Sequence, residues 1–416
     1  MPNRFTAAAA RPLHGLLYRP PNQNGKQLKK ETEMYNFEFQ NPVKLIFGKG
    51  SIARIAEEIP AQSKIMLTFG GGSVKRNGVY DQVIKALEGR HVVEFWGIEP
   101  NPKYETLVEA IALARREGVD FLLAVGGGSV IDGTKFIAAA IPYEGEPWDI
   151  ITRNDIVRKA VPLATVLTLP ATGSEMNNGA VISRRTTHEK FPFHSDLVFP
   201  RFSVLDPCVT FSLPKKMIAA GLADTFVHVM EQYMTYPVDA RVMDRWAEGL
   251  LQTVMEISPA AMGDNPDYDT MANFMLCATM GLNGFIAMGV PQDWATHMIG
   301  HELTALHEIT HGVTLAIVLP QLLRVMRQDK HDKLLQYATR VLGITEGDDE
   351  ARIDEAIRRT EEFFHSLGIA TRLSDYGVGQ DTVDEIVRRF TERGAVWGER
   401  HDVTPDKVRK ILEMAL

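Results

Sequence analysis

Two apolar runs of this chain end in the same four residues. Ile65-Met66-Leu67-Thr68-Phe69 leads into Gly70-Gly71-Gly72-Ser73, and Leu122-Leu123-Ala124-Val125 leads into Gly126-Gly127-Gly128-Ser129. A glycine run between a strand and a helix lets the backbone approach a phosphate closely, while the N–H groups of the helix start face its charge. One such run only makes a turn in many proteins; two in equivalent positions favour a nucleotide. Neither is a G-x-G-x-x-G fingerprint or a Walker loop, so neither a standard dinucleotide motif nor an NTPase is indicated. Further apolar runs at 43–47, 92–95, 164–169 and 203–205 read as strands, and 79–87 and 104–117 have helical periodicity. This order predicts a mostly parallel sheet with helices on both faces and ligands at the carboxyl ends of strands.

Beyond about residue 211 the pattern changes. Helical periodicity dominates near 214–235, 240–258, 268–287, 292–305, 312–327, 333–342, 350–366, 380–393 and 405–415. The expected organisation is therefore an α/β domain over 35–211 and an all-helical domain over 212–416. Residues 1–34, with a tetra-alanine, a Pro-Pro pair and no acid before Glu31, are expected to be a disordered extension. A net charge of -8 argues against nucleic acid or an anionic membrane as the main partner. Only Cys208 and Cys277 are present, without a CxxC, which argues against a disulfide framework or a cysteine-ligated zinc. No apolar run approaches the ~18 residues needed to span a bilayer, and a cytoplasmic location is expected.

Four of the twelve histidines fall in WATHMIGHELTALHEITHG, between Trp294 and Gly312. They form two i,i+4 pairs, His297/His301 and His307/His311, each able to share one helical face. Asp224 and His228 repeat that spacing upstream, so a four-ligand oxygen and nitrogen site for a divalent metal is within reach. A helical histidine is more often a satisfied surface or core residue, and geometry limits the choice. In one unbroken helix at ~1.5 Å per residue, His297 and His311 would lie about 21 Å apart. Both can reach one ion only if a helix ends near 305–310 and another starts near His311. Metal in the helical half and glycine loops in the other predict a cleft between domains.

Two other stretches bear on a cofactor. Asp132, one turn into the helix after Ser129, either favours the helix dipole or orients the nicotinamide end of a cofactor. The hydroxyls of Thr168-Leu169-Pro170-Ala171-Thr172-Gly173-Ser174-Glu175 either cap a helix or reach a ribose or phosphate.

These residues resemble the iron-containing, or group III, alcohol dehydrogenase family. Ser203-Val204-Leu205-Asp206, Pro214, Ala219, Gly221, Asp224-Thr225-Phe226 and Glu231 match its first signature, and His297-Met298-Ile299-Gly300-His301-Glu302-Leu303 through His311-Gly312 matches its second. The likeness runs from about Tyr35 to the C-terminus. Phe47-Gly48-Lys49-Gly50, the first GGGS and the segment from Gly289 to His297 point to the butanol dehydrogenase and broad-range aldehyde reductase branch. The resemblance implies a Rossmann-like sheet domain followed by a helical domain, the dehydroquinate synthase-like plan. It implies Asp224, His228, His297 and His311 as metal ligands and His301 beside the nicotinamide, and gives His307 no role. By the same matching, Gly71, Gly72, Ser73, Gly127, Gly128, Ser129, Asp132, Thr168, Thr172, Asn177 and Lys190 are cofactor positions.

Many relatives carry an acid in the first glycine loop, where it binds ribose hydroxyls and repels a 2'-phosphate. Here Gly71, Gly72 and Ser73 stand there, with Lys75 and Arg76 beyond, so NADP(H) is expected. The implied reaction is reversible hydride transfer between NADP(H) and a primary alcohol/aldehyde pair, with Fe(II) or Zn(II) polarising the substrate oxygen. His301, the cofactor ribose or a water chain is the candidate proton donor, with His301 and Asp132 as the catalytic side chains. A homodimer is expected by family likeness. The alternatives are a dehydroquinate synthase-like or glycerol dehydrogenase-like enzyme and a non-catalytic nucleotide- or metal-binding regulator.

Overall fold

The computed structural model describes residues 33–153 and 156–416. Nearly all of the expected 1–34 extension thus lies outside the described residues. Six strands, β1 (Lys44–Phe47), β2 (Lys64–Phe69), β3 (His91–Phe95), β4 (Phe121–Gly126), β5 (Leu163–Leu167) and β8 (Phe202–Leu205), pair in parallel in the order β1-β8-β5-β4-β2-β3. Successive side chains alternate between the faces. Met66, Leu122 and Ala124 join a core with the helices Tyr104–Glu117 and Gly128–Ala140; Ile65, Leu67, Phe69, Phe121, Leu123 and Val125 join another with Val79–Ala86. Burial on both faces explains why the central strands read as nearly continuous apolar runs.

An antiparallel ribbon of β6 (Gly179–Arg184) and β7 (Glu189–His194) was not anticipated. Its middle, Arg185-Thr186-Thr187-His188, is polar, and Pro192 lies within β7, so periodicity alone does not mark it. Ala180, Ile182, Phe191 and Phe193 pack into the core of the helix Gly128–Ala140. That packing stabilises a two-stranded ribbon that would be marginal alone.

From Lys215 onward, nine helices of ten or more residues follow among the described residues. The helix Lys215–Tyr233 is buried at every position from Ile218 to Tyr233, and its neighbours surround it. The helix expected over 268–287 stops at Gly281, because Gly284 takes φ +86° and Asn283 Oδ1 accepts the Phe285 N–H instead. The helix Ala295–His307 ends at Glu308, in the left-handed region at φ 56°, and the next begins at His311.

Residues 35–39, placed with the sheet domain by sequence, lie along the helical half, and Asn41 joins the two halves, its Nδ2 also donating to Met176 O at 2.8 Å. Tyr35 N–H donates to Gly289 O at 2.9 Å, Asn41 Nδ2 donates to Asn283 O at 3.1 Å, and the Phe39 and Phe285 rings meet at 5.9 Å. Among the described residues no helix is long and apolar enough to cross a membrane.

Candidate metal centre and nucleotide loops

Three helices deliver the polar cluster. Asp224 and His228 project from Lys215–Tyr233, His297 and His301 from Ala295–His307, and His311 opens His311–Val325. The break after His307 brings together two histidines that a continuous helix would separate. Helix packing is close because the crossing points lack side chains. A Cβ on Gly312 would lie 2.0 Å from Ala220 O, and one on Gly300 would lie 2.8 Å from Thr314 Oγ1.

Ligand atoms of Asp224, His297 and His311 all lie within 4.8 Å of one another. Asp224 Oδ1 is 3.7 Å from both His297 Nε2 and His311 Nε2. His228 sits beside this trio rather than within it: its Nδ1 is 3.5 Å from Asp224 Oδ1, and its ring stacks on His297 at 4.5 Å. Asp224 Oδ1, His228 Nδ1, His297 Nε2, His301 Nδ1 and His311 Nδ1 are buried without a hydrogen-bond partner in the protein. Of these, His228 Nδ1 and His297 Nε2 lie 3.5 and 3.7 Å from Asp224 Oδ1, and buried polar atoms gathered without a partner fit a divalent cation.

The charges are uneven. Burial pulls His228 down to about 4 and holds His301 and His311 well below the usual imidazole range, so these rings are neutral near pH 7. Burial opposes charge on His297 too, but Glu231 and Asp224 outweigh it and raise its pKa to about 9. Burial likewise opposes charge on Asp224, yet His228, His297 and Lys190 hold its carboxyl below the usual range. His307 stands apart, its Nε2 2.8 Å from Thr382 Oγ1.

The glycine loops are alike in sequence and different in surroundings. A Cβ on Gly71 or Gly72 would meet nothing within 4 Å, and Gly72 adopts φ +89°. A Cβ on Gly127 would lie 3.0 Å from Leu169 Cβ, and one on Gly128 would lie 2.4 Å from Thr172 Oγ1. The 168–173 loop in turn presses on the helix Lys215–Tyr233, where a Cβ on Gly221 would lie 2.4 Å from Pro170 O. One loop therefore spaces the second glycine run from the helix bearing Asp224. Lys75 Nζ lies 4.2 Å from the centre of the Trp96 ring, beyond Ser73.

The remaining expected cofactor positions are tied into the frame. Asp132 accepts from Ser174 Oγ at 2.6 Å and from Val181 N–H at 2.9 Å. Asn177 donates to Gly173 O and Leu282 O and accepts from Lys135 Nζ and the Gly179 N–H. Ser129 Oγ accepts from Asn101 N–H, Thr172 Oγ1 accepts from Ser174 N–H, and Thr168 N–H donates to Gly126 O. Lys190, on β7, donates to Asn101 Oδ1 at 2.8 Å, and burial lowers its pKa to about 7 despite Asp224 and Asp132 nearby.

Sequence reasoning overlooked Lys135, fully buried, whose Nζ donates to Ser174 Oγ, Asn177 Oδ1 and Gly179 O. The signal was a lone lysine in the apolar stretch IDGTKFIAAA. Also overlooked was the buried Lys330, 2.6 Å from Asp293 Oδ2 and 2.7 Å from Glu399 Oε2. No local pattern marks a grouping whose members are that far apart in the chain.

The model of the iron-containing alcohol dehydrogenase family matches residues 42–207, and that of the Fe-containing alcohol dehydrogenase family C-terminal region matches 218–416. The chain is 54% identical over 386 residues to the NADPH-dependent aldehyde reductase YqhD of Escherichia coli (strain K12), covering 92% of this chain and 100% of that protein. It is 39% identical to NADH-dependent butanol dehydrogenase A of Clostridium acetobutylicum, over 91% of this chain and 99% of that protein. The crystal structure of E. coli K-12 YqhD superposes with a TM-score of 0.91 at 53% identity, covering 93% of this chain and 100% of that one. That of NADH-dependent butanol dehydrogenase A from Thermotoga maritima gives 0.88 at 36% identity, covering 92% and 100%. A sheet half with two glycine loops, a helical half with converging carboxylate and imidazoles, and family models matching both halves lead to one conclusion: this chain belongs to the iron-containing alcohol dehydrogenase family.

Proposed function

We propose that this protein is a metal-dependent oxidoreductase that transfers a hydride reversibly between NADP(H) and a primary alcohol/aldehyde pair, with aldehyde reduction as its working direction. The observation that carries this reading is the buried convergence of Asp224, His297 and His311 from three helices, within a chain 54% identical to an aldehyde reductase. When bound, a divalent ion supplies Lewis-acid polarisation of the substrate oxygen, and the nicotinamide supplies or accepts the hydride.

The chain's own residues do the rest. Asp224, His297 and His311, with His228 beside them, would hold the ion; one carboxylate and imidazole nitrogens suit Fe(II) or Zn(II). His301, whose ring lies 5.2 Å from that of His311, would hold or pass the proton that the substrate oxygen gains. The open backbone at Gly71 and Gly72 admits the adenosine-side phosphates, and Ser73, Lys75 and Arg76 favour a 2'-phosphate in the absence of an acid. Gly127, Gly128, Ser129, Thr168 and Thr172 would line the pyrophosphate. Asp132 and Asn177 brace the 173–181 segment, which would support the nicotinamide end, and Lys190 would contribute positive charge. Family resemblance extends this reading to a homodimer in the cytoplasm, tested by sedimentation and cell fractionation.

A direct test follows NADPH consumption with butanal on metal-quantified protein, with NADH in parallel. Net turnover of NADPH is expected; a cofactor bound without net turnover would point instead to a lyase or a regulator. NADH working better than NADPH would overturn the cofactor assignment. His297→Ala is expected to lose metal and activity together, and His307→Ala to retain both; equal loss from both would overturn the ligand set.

A further inference from the structure

Asp224, His228 and Glu231 stand at i, i+4 and i+7 on the buried helix Lys215–Tyr233, so they share one stripe. Glu231 reaches across to the next helix. Its Oε1 accepts the backbone N–H of His297 at 3.2 Å, its Oε2 contacts His297 Nδ1, and its carbonyl accepts the Asp293 N–H at 2.9 Å. One residue thereby holds both the backbone and the ring of His297. On the far side of that ring, Nε2 is buried, has no hydrogen-bond partner in the protein, and lies 3.7 Å from Asp224 Oδ1.

To bind a cation through Nε2 the ring would give up the proton there; the neutral imidazole then carries one N–H, and a carboxylate at Nδ1 keeps it on that nitrogen, leaving the Nε2 lone pair for the ion. We propose that Glu231 is a positioning residue for His297, setting the tautomer and ring orientation that present Nε2 to the metal. This inference rests on the metal-site reading above. The turn before the helix is anchored independently: Asp293 Oδ1 accepts the Ala295 N–H at 2.7 Å, and its Oδ2 lies 2.6 Å from Lys330 Nζ. Losing the Glu231 carboxylate therefore leaves the helix in place and frees the ring.

Glu231→Gln separates the two roles. If the glutamine oxygen takes the backbone N–H, its NH2 faces Nδ1 and favours the tautomer protonated on Nε2, which blocks the ligand nitrogen. Full-length wild type and variant are compared by Zn(II) competition against a chromophoric chelator, by the visible spectrum of the Co(II)-loaded protein, by NADPH fluorescence titration and by melting of the metal-free form. Zn(II) affinity is expected to fall about 10- to 100-fold, with an altered Co(II) spectrum and NADPH affinity and metal-free melting unchanged. Unchanged Zn(II) affinity and Co(II) spectrum would overturn the proposal. So would a loss of Zn(II) matched by equal losses of NADPH binding and melting temperature, since Glu231 would then be only a structural support. Wild type that binds no stoichiometric Zn(II) would sink the metal-site reading itself, a result distinguishable from failure of the variant alone. If the variant does not fold, a crystal structure of Zn(II)-loaded wild type decides: Nε2 on the ion and Nδ1 on Glu231 supports the proposal, and the reverse overturns it.

Discussion

Lys190 is a buried cation whose charge is poised to change near neutrality. Its pKa is pushed down to about 7 because burial disfavours the ammonium more than Asp224 and Asp132 favour it. The protonated form thus predominates below that value and the neutral amine above it. An anionic cofactor binds the protonated form more tightly, so NADPH affinity should rise as pH falls through about 7. A charge-assisted contact of this kind is worth about tenfold. Fluorescence titration of NADPH across that range checks it: Lys190→Met should bind more weakly and lose the slope. An equal slope in the variant would assign the titration to another group. At this scale the chain was partly legible. The i,i+4 spacing of Asp224/His228 and His297/His301 could be read from sequence, but not which nitrogen of each ring faces the carboxylate. That depends on rotamers set by packing, and it leaves His228 beside the trio.

Among the elements, the two GGGS loops carry the same letters and bear different loads. Gly71→Ala adds a methyl group to open space, so its effect on stability should stay within ~0.5 kcal/mol while the KM for NADPH rises. Gly128→Ala drives a methyl group into Thr172 and should destabilise by about 1–3 kcal/mol. Thermal melts and NADPH titrations of both variants check the contrast. The helix crossing at Gly312 is tighter still, since the added Cβ would meet backbone at Ala220. Gly312→Ala should destabilise by about 3 kcal/mol and weaken Zn(II) binding at least about tenfold, though every proposed ligand remains. Chelator competition measures it, and retained affinity would mean the crossing does not set His311. Sequence periodicity placed the parallel strands and long helices because each has a wide apolar face. It passed over the β6–β7 ribbon, whose apolar positions make sense only against the helix Gly128–Ala140.

For the whole molecule, an ion at Asp224, His297 and His311 would join three helices of one core, so its binding free energy adds to folding stability. At a hundredfold excess over Kd that is about 2.7 kcal/mol. Zn(II)-saturated protein should therefore melt several degrees above chelator-treated protein, with the gap growing with free Zn(II). In His297→Ala the gap should close. A shift that persists in that variant would place the stabilising ion elsewhere.

Local order was written in the chain itself: short apolar runs and 3.6-residue periodicity separate a parallel-sheet half from a helical half, and histidine spacing names the groups able to bind a cation. Those signals depend on neighbours a few residues apart, which any chain with this sequence must carry. Tertiary packing alone decided the rest. It joined Glu231 to His297, wedged the 168–173 loop between Gly128 and Gly221, laid residues 35–39 along the helical half, and gave two identical glycine runs different surroundings. These contacts join residues tens to hundreds of positions apart, where shape, burial and close backbone approach determine which atoms meet.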